Sequence, residues 1–93
     1  MAFWVYILRC ADSSYYTGHT DDLEKRIGLH QSGGLEGYTS KRLPVSLVFT
    51  QEFASRYEAL TAERQIKGWS RAKKEALMAN DWDLLSALSK GPR

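Results

Sequence analysis

Two tyrosines ten positions apart, Tyr6 in Trp4-Val5-Tyr6 and Tyr16 in Tyr16-Thr17-Gly18, are followed at helical spacing by Arg26 and His30. Phenols, a guanidinium and an imidazole gathered in the first thirty residues are side chains suited to a phosphate. Hydrolysis of a phosphodiester needs a water relieved of its proton, positive charge against the developing phosphorane and help for the leaving oxygen. Arg26 offers a planar fork that matches phosphate oxygens, and the tyrosines offer hydroxyls that relay a proton. A phenol with a pKa near 10 is a poor base alone. It needs a metal or Arg26 close by to lower that value, or His30 to receive the proton.

The elements that must position these groups are legible in outline. Phe3 to Arg9 and Tyr15 to Thr20 are rich in aromatic and branched residues, and Asp12-Ser13-Ser14 between them is turn material, which reads as a β-hairpin. An odd loop such as Asp12 to Ser14 puts Tyr6 and Tyr16 on one face of the sheet; a two-residue loop separates them. Thr20-Asp21-Asp22 supplies an N-cap and acidic first turn for a helix to about Gln31, with Leu23 and Ile27 as its apolar contacts and Gly33-Gly34 ending it. Arg26 and His30, at i and i+4, share one side of that helix. A loop from Leu35 to Arg42 leads through Pro44 into a third strand, Val45 to Phe53. Three helices complete the chain: Ser55 to about Gly68, Ser70 to about Asn80, and Asp81 to about Ser89. The predicted fold is α+β, one domain over residues 1–89 with a frayed tail over 90–93.

In the helix after Ser55 the stripe Ala59, Leu60, Glu63, Ile66 and Lys67 places a carboxylate in the middle of a core face. A buried carboxylate costs several kcal/mol (~1–3 or more) unless it is paired, hydrogen-bonded or metal-bound. Glu63 is a hard oxygen ligand for one Mg²⁺ that keeps most of its waters. Ordinary structural readings stand beside these: strand-forming half-buried tyrosines, a solvated Arg26, a His30 that complements the helix dipole, and a Glu63 paired with a lysine.

At 93 residues, 43% of them apolar and 12% aromatic, the chain is a globular domain without repeats. Its longest purely apolar run, Trp4 to Leu8, is far short of the roughly 20 residues a membrane span needs, so the expected location is cytoplasmic with no membrane partner. The lone Cys10 can build neither an internal disulfide nor a zinc cage and reads as a small hydrophobe. A net charge of +2 gives weak overall attraction to nucleic acid, so local clusters matter more: Arg64, Lys67, Arg71, Lys73 and Lys74, and the pair Lys41-Arg42. The first cluster also reads as a solvated helical face.

Trp4-Val5-Tyr6, Tyr16-Thr17-Gly18, Thr20, the helix Asp22 to His30 and the later Glu63 resemble the GIY-YIG nuclease domain in order and spacing, over almost the whole chain. The segments Tyr38 to Val45 and Glu58 to Lys67 look like those of small stand-alone bacterial members, which are similar to the nuclease domain of structure-specific resolvases. The resemblance implies a three-stranded antiparallel sheet flanked by helices and metal-dependent cleavage of DNA by one Mg²⁺ or Mn²⁺. It implies Tyr6 and Tyr16 as the motif tyrosines, one acting as or relaying to the general base, Arg26 as the phosphate-stabilising arginine, His30 as a proton acceptor and Glu63 as metal ligand. Gly18 matches the motif glycine, where a missing side chain lets substrate approach. Trp4 and Val5 depart from the family's glycine and isoleucine, neither of which supplies chemistry. Lys41, Arg42 and Lys67 are the expected phosphate contacts, and Asn80 is the only asparagine available for the position that members often place near the site.

The leading expectation is an endonuclease acting on DNA in repair, recombination or processing. With no base-reading segment, its cutting is structure- or strand-dependent rather than sequence-specific. The alternatives are a catalytically silent nucleic-acid-binding module and a partner-dependent nuclease subunit, which would pair with another protein or a second copy through Trp69, Trp82, Leu84, Leu85 and Leu88.

Overall fold

The computed structural model describes residues 2–90. Strands β1 (Phe3–Arg9) and β2 (Tyr15–Thr20) lead into helix α1 (Leu23–Ser32), followed by strand β3 (Ser46–Phe53) and helices α2 (Arg56–Lys67), α3 (Arg71–Met78) and α4 (Trp82–Lys90). The three strands form one antiparallel sheet in the order β2-β1-β3. Helix α4 therefore reaches one residue beyond the expected domain boundary, and the rest of the tail expected to fray lies outside the described residues.

The first hairpin turns through Ala11, Asp12 and Ser13. Cys10 N–H donates to Ser14 O at 2.9 Å, Ser13 takes the left-handed conformation at φ 69°, and the Ser14 N–H donates to Asp12 Oδ1 at 3.0 Å. The loop lies one residue earlier than expected but is odd, and parity is what matters: Tyr6 pairs with Gly18 and Leu8 with Tyr16, all on one face. Val5, Ile7, Thr17 and His19 point to the other.

That alternation gives the sheet two buried faces. Val5 and Ile7 pack with Ala59 and Ile66 of α2, Ala76 and Leu77 of α3, and Leu85 of α4. Tyr6, Leu8 and Cys10 pack on the opposite side with Ile27 of α1 and Val45. As the central strand, β1 is apolar without alternation because neither face meets water. Truncation of such a residue, Ile7→Ala for example, costs about 2–5 kcal/mol.

The helices begin and end where their capping residues stand. Asp22 accepts from Lys25 N–H and Gly33 closes α1 at φ 78°, while Ser55 and Ser70 accept from Glu58 and Lys73 N–H to start α2 and α3. Asn80, left-handed at φ 56°, follows the last turn of α3 and serves as its terminator. Of the expected C-terminal apolar surface, Leu85 is buried and Trp69 and Leu88 pack against the core, whereas Trp82 and Leu84 are exposed. No helix among the described residues is long and apolar enough to cross a membrane.

One buried polar atom, the Thr17 hydroxyl on the α2 side of β2, has no partner among the described residues. An unpaired buried hydroxyl costs about 1–3 kcal/mol. Thr17→Val should therefore raise the urea unfolding midpoint, by roughly 1 kcal/mol of stability, with an unchanged denaturant slope; a lower midpoint would show that the hydroxyl is satisfied.

Candidate active site

A cleft opens along the free edge of β2, lined by Tyr6, Tyr16, Gly18, His19, Thr20, Asp21, Arg26, Arg56 and Glu63. Four of the five residues singled out for chemistry in the sequence line it, and the fifth, His30, lies directly beneath. The cleft draws on both faces of the sheet. Tyr6, Tyr16 and Gly18 belong to the α1 side, while His19 and Glu63 come from the α2 side, so the two sets meet where β2 has no neighbouring strand.

Gly18 is what permits this arrangement. A Cβ built there would stand 2.5 Å from the Tyr6 hydroxyl and 2.7 Å from its Cζ. The Tyr6 ring thus lies across the strand where any other residue would carry a side chain. The glycine expected to admit substrate also makes room for the phenol.

The Tyr6 hydroxyl is 2.8 Å from His30 Nε2, and His30 Nδ1 is 2.8 Å from the Thr39 hydroxyl. All three residues are buried. Burial raises the Tyr6 pKa well above its ordinary value, Tyr16 adds to the rise, and Arg26 pulls the other way. Burial, with help from the Arg26 charge, lowers that of His30. The phenol therefore keeps its proton and the imidazole stays neutral near pH 7. With the imidazole proton on Nδ1, directed at Thr39, the Tyr6 O–H donates to a free Nε2 lone pair. Tyr16 flanks this pair, its ring centroid 6.4 Å from that of Tyr6 and 5.0 Å from that of His30.

Arg26 is half-buried, rises from α1 into the cleft and has no carboxylate partner among the described residues. Its charge is available to an anion. Glu63, 8% exposed, is held at both oxygens: Lys67 Nζ donates to Oε2 at 2.6 Å, and His19 Nδ1 contacts Oε1. Burial works to raise the Glu63 pKa, but these two hydrogen bonds prevail and hold it below the usual carboxylate range. Its partner Lys67 is raised by the same bond. The carboxylate that the stripe on α2 placed on a core face is paired with a lysine and also lines the cleft.

Of the other expected phosphate contacts, Arg42 is engaged elsewhere. The Arg42 guanidinium stacks 3.8 Å over the Tyr38 ring and pairs with Asp12 at 3.0 Å, bracing the loop after α1 against the hairpin turn. Lys41 is exposed and outside the cleft lining. In the basic cluster, Arg71 pairs with Glu75 and stacks on Tyr15, and Lys73 lies 4.3 Å from the Trp69 ring, so these two brace helices, while Lys67 holds Glu63. Asn80 is not among the cleft residues.

Three residues at the site escaped the sequence reading. His19 has a signal in hindsight: it follows Gly18 on β2, so it must face the opposite side, toward α2. Thr39 and Arg56 come from a loop and a helix start, and no local pattern marks them.

A three-stranded antiparallel sheet with four helices, its cleft along the edge strand, defines an α+β domain. Residues 2–76 match the GIY-YIG catalytic domain, and the chain belongs to that family, a nuclease superfamily. Its relatives are small stand-alone UPF0213 proteins. One from Streptococcus pneumoniae is 42% identical over 86% of this chain and 81% of its own length, and one from Natronomonas pharaonis is 46% identical over 84% and 92%. Among solved structures, the solution structure of a UPF0213 protein from Bacillus halodurans is 47% identical over 85% of this chain and 84% of that one, with a TM-score of 0.56. A protein from E. faecalis is 36% identical over 86% and 85%, at 0.60.

Two stability measurements check this geometry. Gly18→Ala should destabilise by about 1–3 kcal/mol, the usual range for forcing an extra methyl into a packed site, read as a lower urea midpoint; an unchanged midpoint would mean that Tyr6 does not lie over the strand. Because the folded-state pKa of His30 lies below its unfolded value near 6.5, the unfolded chain binds more protons, so its contribution is present above that pH and lost as pH falls through the folded value. Urea unfolding followed from pH 8 to pH 5 should show this loss, and His30→Gln should flatten it.

Proposed function

We propose that this protein is an endonuclease that hydrolyses phosphodiester bonds in DNA with water as the nucleophile. The observation that carries the reading is a single cleft holding two phenols, an unpaired arginine and a carboxylate, with a neutral imidazole behind one of the phenols.

The Tyr6–His30 hydrogen bond removes the difficulty of a phenol as base. A free phenolate is out of reach at a buried position with a raised pKa, but Tyr6 need not ionise in advance. As water attacks phosphorus, its proton passes to the Tyr6 oxygen while the Tyr6 proton passes to His30 Nε2. His30 becomes a cation, and its Nδ1–H remains on Thr39. Arg26 binds the non-bridging oxygens and takes up the charge that grows on them. Tyr16, beside Tyr6 and open to the cleft, orients the attacking water or the phosphate. The P–O bond to the leaving nucleotide breaks, and the departing oxygen takes a proton from solvent.

A divalent cation fits the donor set in one way. Among the described residues no group of three or more His, Cys, Asp and Glu side chains converges, so one Mg²⁺ or Mn²⁺ would be held by Glu63 with water supplying the remaining ligands. That ion would supply positive charge at the leaving oxygen. Lys67 and His19, which hold the two Glu63 oxygens, would have to yield one of them to such an ion, and a released Lys67 could then meet a phosphate.

In this reading recognition rests on strand form or DNA structure rather than base sequence, in repair, recombination or processing within the cytoplasm. A second reading draws on the saturation of both Glu63 oxygens: a binding module in which Lys67 and His19 cancel the carboxylate and Arg26 holds phosphate without turnover. DNA affinity that persists in EDTA and rises on Glu63→Gln, with no cleavage, would establish it.

Single-stranded, duplex and branched DNA incubated with Mg²⁺ or Mn²⁺ test the nuclease directly. At least one should be cut, and Arg26→Ala, Glu63→Gln and Tyr6→Phe should each slow cleavage by about 10²–10³-fold, the range for removing one transition-state contact. Failure to cut any of the three, or cutting undiminished by Arg26→Ala and Glu63→Gln, would refute the proposal.

A further inference from the structure

Arg56, the first residue of α2, enters the cleft from the side opposite Arg26. Its Nη2 donates to Asp21 Oδ2 at 3.0 Å, and its guanidinium lies 4.9 Å from the centre of the Phe3 ring. Asp21 lines the same cleft. Both partners are about half exposed, 54% for the arginine side chain and 46% for the aspartate, so water screens the pair and it holds weakly. Phe3 contributes differently: stacking on a ring keeps a guanidinium plane in place when its anionic partner departs.

We propose that Arg56 and Asp21 form a second phosphate subsite, in which Arg56 takes a DNA phosphate neighbouring the one held at Arg26 and Asp21 occupies that arginine until DNA arrives. The inference rests on the reading of the cleft as a DNA site and adds to it a residue and a device. A phosphate accepts the guanidinium fork in bidentate fashion, as Asp21 does not here, and a polyanion brings a neighbouring phosphate at high local concentration once Arg26 is engaged. Asp21 therefore acts twice against binding, by occupying Arg56 and by repelling the strand. Two arginines on opposite walls hold a strand at two successive points, which sets the register of the scissile bond over Tyr6 and Tyr16.

The test is a double-mutant cycle read by fluorescence anisotropy of a labelled oligonucleotide, single-stranded and duplex, in EDTA so that nothing is cleaved, between 50 and 200 mM salt. Arg56→Ala should weaken binding about 5-fold and reduce the slope of log affinity against log salt by about 0.7–0.9, the signature of one lost phosphate contact. Asp21→Asn should tighten binding, and its effect should vanish in the Arg56→Ala background. Both positions are exposed, and equal thermal melts by circular dichroism will show that the fold is kept. An unchanged slope in Arg56→Ala, weaker binding by Asp21→Asn, equal effects of Asp21→Asn with and without Arg56, or no DNA binding by the wild-type chain would each overturn the subsite. If the cycle behaves as expected and no DNA is ever cut, the nuclease reading falls and the subsite stands; if cutting is normal and the cycle is flat, the reverse holds.

Discussion

The whole site depends on the contact between the Tyr6 ring and the backbone of Gly18 on the neighbouring strand. No side chain fits between them, since a Cβ at position 18 would stand 2.5 Å from the phenol oxygen. That closeness lets the ring lie along the sheet, bury itself under β2 and bring its hydroxyl to His30 Nε2 at 2.8 Å. The odd hairpin loop sets the register that brings Tyr6 over Gly18, and α1 places His30 where the hydroxyl emerges. With an even loop Tyr16 and Gly18 would turn to the α2 face, and the Tyr6 ring would meet the side chain of a neighbouring residue on β2 instead.

The second organising constraint is the exposed edge of β2. An edge strand leaves no third strand to separate the two faces of the sheet, so groups borne on opposite sides can meet at its rim. The α1 side contributes the phenols and Arg26, with His30 behind them, while the α2 side contributes Glu63, His19 and Lys67. Charge is divided accordingly. The Tyr6–His30–Thr39 chain is buried and neutral, whereas the carboxylate lies at the boundary of core and water, stabilised by a lysine and a histidine. A neutral hydrogen-bonded chain costs little to bury, and a charged group at the rim remains able to exchange partners.

Much of this was legible in the chain because local rules and tertiary packing agree. Turn residues at Asp12 to Ser14 set an odd loop, Asp22 and Gly33 bound α1, Ser55 and Ser70 start α2 and α3, and the polar break at Glu63 in an apolar stripe marked the one carboxylate that needed partners. The one-residue shift of the hairpin loop changed nothing because parity, not position, decides which face a side chain takes. Less legible were the lysines and arginines. Long flexible side chains pair according to what stands within reach, and sequence spacing does not reveal that Arg42 would be drawn to Asp12 and Tyr38, thirty and four residues away, rather than left for a phosphate.

By itself the sequence determined the order of the elements, the placement of Arg26 and His30 on one side of α1, and family membership, since each depends on spacing within one or two adjacent elements; that Tyr6 and Tyr16 share a face waited on the parity of the hairpin loop. Only the tertiary structure decided that Glu63 reaches the phenols around the edge of β2 rather than across a shared face, that His19 and Lys67 hold it, that Thr39 orients His30, and that Arg56 closes the cleft with Asp21. Apart from the i,i+4 pair of Glu63 and Lys67, these contacts join separate segments, 9 residues apart for His30 with Thr39, 35 for Asp21 with Arg56 and 44 for His19 with Glu63. Such contacts depend on how the helices dock on a twisted sheet, and no periodicity along the chain encodes that docking.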